Sequence, residues 1–111
     1  MSFTIRKDPK GVVVVGVDGQ LIVGNRQELK QKVLDALESG EKKVLVDFSN
    51  TGYIDSSGLG VLVTLGKKLR ENGGELRLAG LNPDLRTLFE LTKLDTLFTI
   101  TDSAEQALAN F

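Results

Sequence analysis

Phe3 and Ile5 alternate with Thr4 and Arg6, the two-residue period of a strand with one buried face. An Asp8-Pro9-Lys10-Gly11 turn signal follows, and then valines 12–15 with Val17 form a β-branched run. That run reads as a central, buried strand, antiparallel to the first in a hairpin-like opening. Asp18-Gly19 breaks it, and residues 20–23 leave room for only a short extended piece before Gly24-Asn25. Leu29, Val33, Leu34 and Leu37 then recur at helical spacing, with Asn25 as the expected side-chain cap and Gly40 as the stop. Val44, Leu45, Val46 and Phe48 form the next strand, and residues 50–54 read as a connection.

A second helix runs from Ser56 or Ser57 to Glu71 and ends at Asn72-Gly73-Gly74. Gly60 and Gly66 inside it suggest close approach of its backbone to the sheet or a neighbour. Strict alternation over residues 75–79 indicates a strand with one wet face. Pro83 suits a first helical turn, ahead of Leu85, Leu88 and Phe89 on a short amphipathic helix. Leu97, Phe98 and Ile100 read as a last strand, and Ser103 caps a final helix carrying Ala104, Ala107, Leu108 and Phe111. Strands alternating with helices imply an α/β fold. The expected architecture is a mixed, mostly parallel sheet of about four to five strands with about four helices. It is expected to form one domain over residues 1–111, with part of one sheet face uncovered.

Composition removes much chemistry. Among 111 residues there is no cysteine and no histidine, which excludes disulfides, thiolate nucleophiles, the usual zinc sites and every Ser-His or Cys-His relay. With 14 basic and 15 acidic side chains the net charge is -1, and no basic cluster offers itself to nucleic acid or an anionic membrane. The longest apolar stretch, residues 11–17, falls far short of the ~20 residues that span a bilayer, so a cytoplasmic protein is expected.

In a parallel sheet, functional loops leave the carboxyl ends of strands, where helix N-termini present free N–H groups. One such loop is unusual: Ser49-Asn50-Thr51-Gly52-Tyr53-Ile54-Asp55-Ser56-Ser57-Gly58-Leu59-Gly60. A helix cap by Asp55 or Ser56 accounts for one side-chain oxygen, while Asp55, Ser56 and Ser57 bring three polar side chains to one turn. No Walker, dinucleotide or Gly-x-Ser-x-Gly pattern occurs here, so nucleotide enzymes and serine hydrolases are disfavoured and no cofactor or metal is expected. What remains is a serine that receives a phosphoryl group from another protein, its added charge held at a helix N-terminus. Asp47 reads as a sheet-end residue. Tyr53-Ile54 reads as a hydrophobic staple or sheet-end filler ahead of a pair of partner anchors. Lys67, Lys68, Arg70 and Glu71 read as a solvated helix face.

Strand 44–48 followed by Tyr53-Ile54-Asp55-Ser56-Ser57-Gly58-Leu59-Gly60-Val61-Leu62 resembles the signature of the STAS domain of bacterial anti-sigma factor antagonists. The resemblance extends across nearly the whole chain, including Gly19-Gln20-Leu21, Leu29-Lys30-Gln31-Lys32-Val33, Gly73-Gly74-Glu75-Leu76 and Leu88-Phe89-Glu90-Leu91-Thr92-Lys93-Leu94. It implies a non-enzymatic switch in which Ser56 is phosphorylated by an anti-sigma factor that is also a serine kinase. The bare form binds that kinase and frees a sigma factor, and a separate phosphatase restores it. Ser57 is then the usually unmodified neighbour, while Asp55, Ser57 and Gly58 shape the turn. Asp55 contributes to the kinase contact, with residues 19–25 nearby. Ile22 stands where members commonly carry aspartate, and Asn25 stands where threonine is often found; both positions bear on partner contact. The alternative is a constitutive scaffold or transporter-associated module of the same fold, in which Asp55-Ser56-Ser57 merely caps the helix. Small-ligand binding in the strand-end cleft has no motif of its own.

Overall fold

The computed structural model describes residues 2–111. The elements run β1 (Phe3–Lys7), β2 (Val13–Val17), β3 (Gly19–Leu21), α1 (Arg26–Glu38), β4 (Lys43–Asp47) and β5 (Thr51–Ile54). They continue as α2 (Ser56–Glu71), β6 (Glu75–Ala79), α3 (Pro83–Leu91), a 3-10 turn (Leu94–Thr96), β7 (Ile100–Thr101) and α4 (Ala104–Asn110). The main sheet has the order β1-β2-β4-β6-β7, with β1 antiparallel to β2 and every other pairing parallel. The mixed, mostly parallel α/β expectation therefore holds. The valine run is buried as expected but lies one place in from the edge, because β4 takes the centre.

The run is unbroken because both of its faces are covered. Val13, Val15 and Val17 join Val44, Val46, Leu76 and Leu78 under α1, α2 and α3, which contribute Leu29, Val33, Leu62, Leu65, Leu69, Leu85 and Phe89. Val12, Val14, Leu45 and Ala79 face the other way, against Ala107 of α4. Full burial of each such side chain contributes about 1.5–3 kcal/mol, so this two-sided core fixes the layer order. The alternating strand β6 turns Glu75 and Arg77 toward the thinly covered face. There the Arg77 guanidinium lies 4.3 Å from the centroid of the Phe111 ring, so the wet face is narrower than alternation suggests.

Residues 50–54 are not a mere connection: Thr51–Ile54 forms β5, which pairs in parallel with β3 as a separate two-stranded sheet. The buried Thr51 hydroxyl donates to the Val17 carbonyl at 2.6 Å, and the Gly19 N–H donates to the Asn50 carbonyl at 2.9 Å. These bonds hold the small sheet to the carboxyl ends of β2 and β4. The last strand is also displaced. Ile100–Thr101 forms β7, whereas Phe98 turns inward onto α2, where a Cβ on Gly66 would stand 2.9 Å from its ring. Gly66 thus marks the expected close approach. Gly60 does not, since no atom lies within 4 Å of a Cβ added there.

Candidate functional site

The small sheet delivers the chain from Ile54 into the N-terminus of α2. Ile54 and Leu59, before and after the first helical turn, both enter the core, while Tyr53 points outward at 57% exposure. The Tyr-Ile pair is therefore divided: the isoleucine fills the core and the tyrosine faces solvent. Asp55 is the N-cap, in extended conformation, and its Oδ1 accepts from the Gly58 N–H at 2.8 Å and from the Ser57 hydroxyl at 2.6 Å. Its Oδ2 accepts from the Val23 N–H at 3.0 Å. The Ser57 hydroxyl above all, then the Gly58 amide, hold the Asp55 carboxyl below the ordinary carboxylate range; burial opposes them, and the Val23 amide makes a smaller lowering contribution.

Ser56 is the first residue of α2 and is exposed, and the side-chain hydrogen bonds of the turn leave its hydroxyl out. Two serines adjacent in sequence thus have different standing. Ser57 is half-buried and spends its proton on Asp55, whereas the Ser56 oxygen stands at the positive end of the α2 dipole, open to solvent. Gly58 is required by close packing. A Cβ there would lie 2.6 Å from the Leu21 carbonyl oxygen and 2.9 Å from Ile54 Cγ2, so only glycine lets α2 start against β3.

Asn25 occupies the N-cap position of α1, but its side chain makes no capping hydrogen bond to the helix. Its Oδ1 accepts from the Ile22 N–H at 2.9 Å and its Nδ2 donates to the Gln20 carbonyl at 2.9 Å, so the side chain braces the preceding loop. Competition decided this: an asparagine oxygen satisfies whichever free N–H its backbone brings nearest, and the tight turn over residues 22–25 brings Ile22. Ile22 is half-buried, and Val23 beside it is 66% exposed. The structure gathers Asp55, Ser56, Ser57 and Gly58 into one turn and ties residues 22–25 to it through Val23. The family resemblance brings residues 19–25 near Asp55, but the bond itself has no local signal in the sequence, since the partners lie 32 residues apart and one of them is a backbone amide.

A groove of about 560 Å³ opens beside Ser56, walled by Tyr53 and Leu59 on one side and by Leu85 and Leu88 of α3 on the other. Its charged lining residues are Asp55 and Asp84, both acidic. Asp47 turns back on its own strand end, accepting from Ser49, as a sheet-end residue does. Lys67, Lys68, Arg70 and Glu71 are exposed. Among the described residues, no helix is long and apolar enough to cross a membrane.

Comparison with known proteins places these features in context. Residues 5–107 match the STAS domain. The anti-sigma-B factor antagonist of Staphylococcus aureus is 33% identical over 91 residues, 82% of this chain and 84% of that protein. Among solved structures, a candidate anti-sigma factor antagonist from Thermotoga maritima is similar with a TM-score of 0.89 at 29% identity, covering 96% of this chain and 92% of that one. The Bacillus cell fate determinant SpoIIAA, solved in its phosphorylated form, gives a TM-score of 0.76 at 21% identity over 96% of each chain, a likeness of fold.

Proposed function

The chain belongs to the STAS family of bacterial anti-sigma factor antagonists, and from that premise we propose that it is a phosphorylation-controlled partner switch with Ser56 as the acceptor. The observation that carries the reading is the uncommitted, exposed Ser56 hydroxyl beside a Ser57 hydroxyl already bound to Asp55. The partner is an anti-sigma factor with serine kinase activity. The Ser56 oxygen forms a bond to the γ-phosphorus of ATP as the bond to the leaving ADP breaks, and the hydroxyl proton passes to a base of the kinase. Unmodified, the protein binds this partner and frees the sigma factor; a phosphatase reverses the modification. The protein touches no DNA, performs no catalysis of its own and works in the cytoplasm.

The electrostatics favour a surface switch. A phosphoserine adds about -1.5 to -2 charges. The α2 dipole offsets part of that charge locally, so the fold persists, while the acidic surface of Asp55 and Asp84 becomes more strongly negative. SpoIIAA, which shares the fold, has been solved in a phosphorylated form, and that supports the reading. Asp55, Ser57 and Gly58 shape the acceptor turn in this reading, and Ile22 and Asn25 belong to the adjoining partner-facing loop. A constitutive scaffold would need the cap alone and has no use for the free hydroxyl. Titration calorimetry against the cognate anti-sigma factor tests the reading. Ser56→Asp should weaken binding by about tenfold or more while Ser56→Ala retains it. Equal affinity of wild type and Ser56→Asp would remove the electrostatic switch.

A further inference from the structure

The Asp55 carboxylate holds two elements at once. Its Oδ1 stays within its own turn, on Gly58 and Ser57, whereas its Oδ2 reaches back to the Val23 N–H. The loop it reaches is stitched internally. Besides the two Asn25 side-chain bonds, the Asn25 and Arg26 N–H groups donate to the Ile22 carbonyl at 3.1 and 2.8 Å. The loop is braced by these bonds, and the Val23 bond is its side-chain tether to the acceptor turn, next to the backbone bond from the Asp55 N–H to the Leu21 carbonyl at 3.1 Å. At its tip Val23 offers solvent an apolar side chain, 66% exposed.

Resting on the reading of Ser56 as phosphoacceptor, we propose that residues 22–25 are a second moving part of the switch. Phosphate on Ser56 breaks the Asp55 to Val23 tether, and Val23 leaves the position in which the partner meets it. The phosphate brings a dianion one residue from the Asp55 carboxylate. Repulsion acts first where the carboxylate is held least. Of its three hydrogen bonds, the one to Val23 is the longest at 3.0 Å and is solvent-exposed, whereas those to Gly58 and Ser57 are shorter and half-buried. The cap therefore survives and the loop is released.

Asp55→Asn separates the two functions. The amide retains an oxygen for Gly58 and Ser57 but turns an NH2 group toward the Val23 N–H, so a donor meets a donor and only the tether is lost. Amide–solvent exchange by NMR on three chains tests the proposal: the unmodified protein, Asp55→Asn, and the protein made with phosphoserine at position 56. Val23 exchange should rise about tenfold in both altered chains, with Gly58 exchange within about twofold of the unmodified value. Val23 exchange that stays within about twofold in either altered chain overturns the proposal. The comparison needs no kinase. A failure of cells to phosphorylate Ser56 would therefore remove the acceptor reading, whereas unchanged Val23 exchange would remove only the part given to the loop.

Discussion

Alanine at Gly58 and alanine at Gly60 should shift stability in opposite directions, although the two positions lie on the same helix. At Gly58 the new methyl would stand 2.6 Å from the Leu21 carbonyl oxygen, 2.9 Å from Ile54 Cγ2 and 3.0 Å from Leu21 Cγ. The nearest of these atoms is backbone, held by its hydrogen bond from the Asp55 N–H at 3.1 Å, so no side-chain rotation relieves the clash. Overpacking of this kind costs about 1–3 kcal/mol. At Gly60 the methyl meets nothing within 4 Å, and alanine gains about 0.5–1 kcal/mol over glycine in a helix interior. The two variants should therefore differ by roughly 1.5–4 kcal/mol. In urea, where a domain of this size loses about 1–1.5 kcal/mol per molar denaturant, their midpoints should lie about 1–4 M apart, on either side of wild type. Gly58→Ala as stable as wild type, or both variants moving the same way, would refute the claim that α2 starts in steric contact with β3.

Three further outcomes follow from the site and its support. Ser57→Ala removes the main cause of the lowered Asp55 pKa, so a carbon-detected NMR titration should find that carboxyl closer to its ordinary value; an unchanged titration would mean the hydroxyl is not its partner. Because the Asp55 pKa is lowered on folding, its contribution to stability is full above the unfolded value of about 3.9 and fades as pH falls through the folded one. The stability gap between wild type and Asp55→Asn should accordingly be constant near neutrality and narrow in acid; a gap that widens in acid contradicts the assignment. Thr51→Val keeps the shape of a buried side chain but deletes its 2.6 Å bond to the Val17 carbonyl, and should cost about 1–2 kcal/mol in urea unfolding.

What the sequence made legible follows from how local each determinant is. The period of Leu29 and Val33 and the glycine stop at Gly73, with its φ of 77°, are written in nearby residues and appear where expected, and the valine run is buried as expected though not central. Strand β5 was hidden because its ladder exists only against three residues of β3, and Gly52 dilutes its strand signal. Asn25 carries a genuine cap preference that a nearer N–H overrode. At the site, local spacing allows a cap by Asp55 or Ser56, and the structure gives it to Asp55. The division of labour between Ser56 and Ser57 depends on which hydroxyl points at Asp55, a matter of backbone direction. The steric demand at Gly58 comes from Leu21, which the small sheet carries in from 37 positions earlier.

The central claim is chemical, and the most direct measurement is the position of the phosphate. Protein recovered from cells that contain its anti-sigma factor, digested and mapped by tandem mass spectrometry, should carry phosphate on Ser56. Ser56→Ala should abolish the modification and Ser57→Ala should leave it. Phosphate found on Ser57, or retained in the Ser56→Ala protein, would contradict the account.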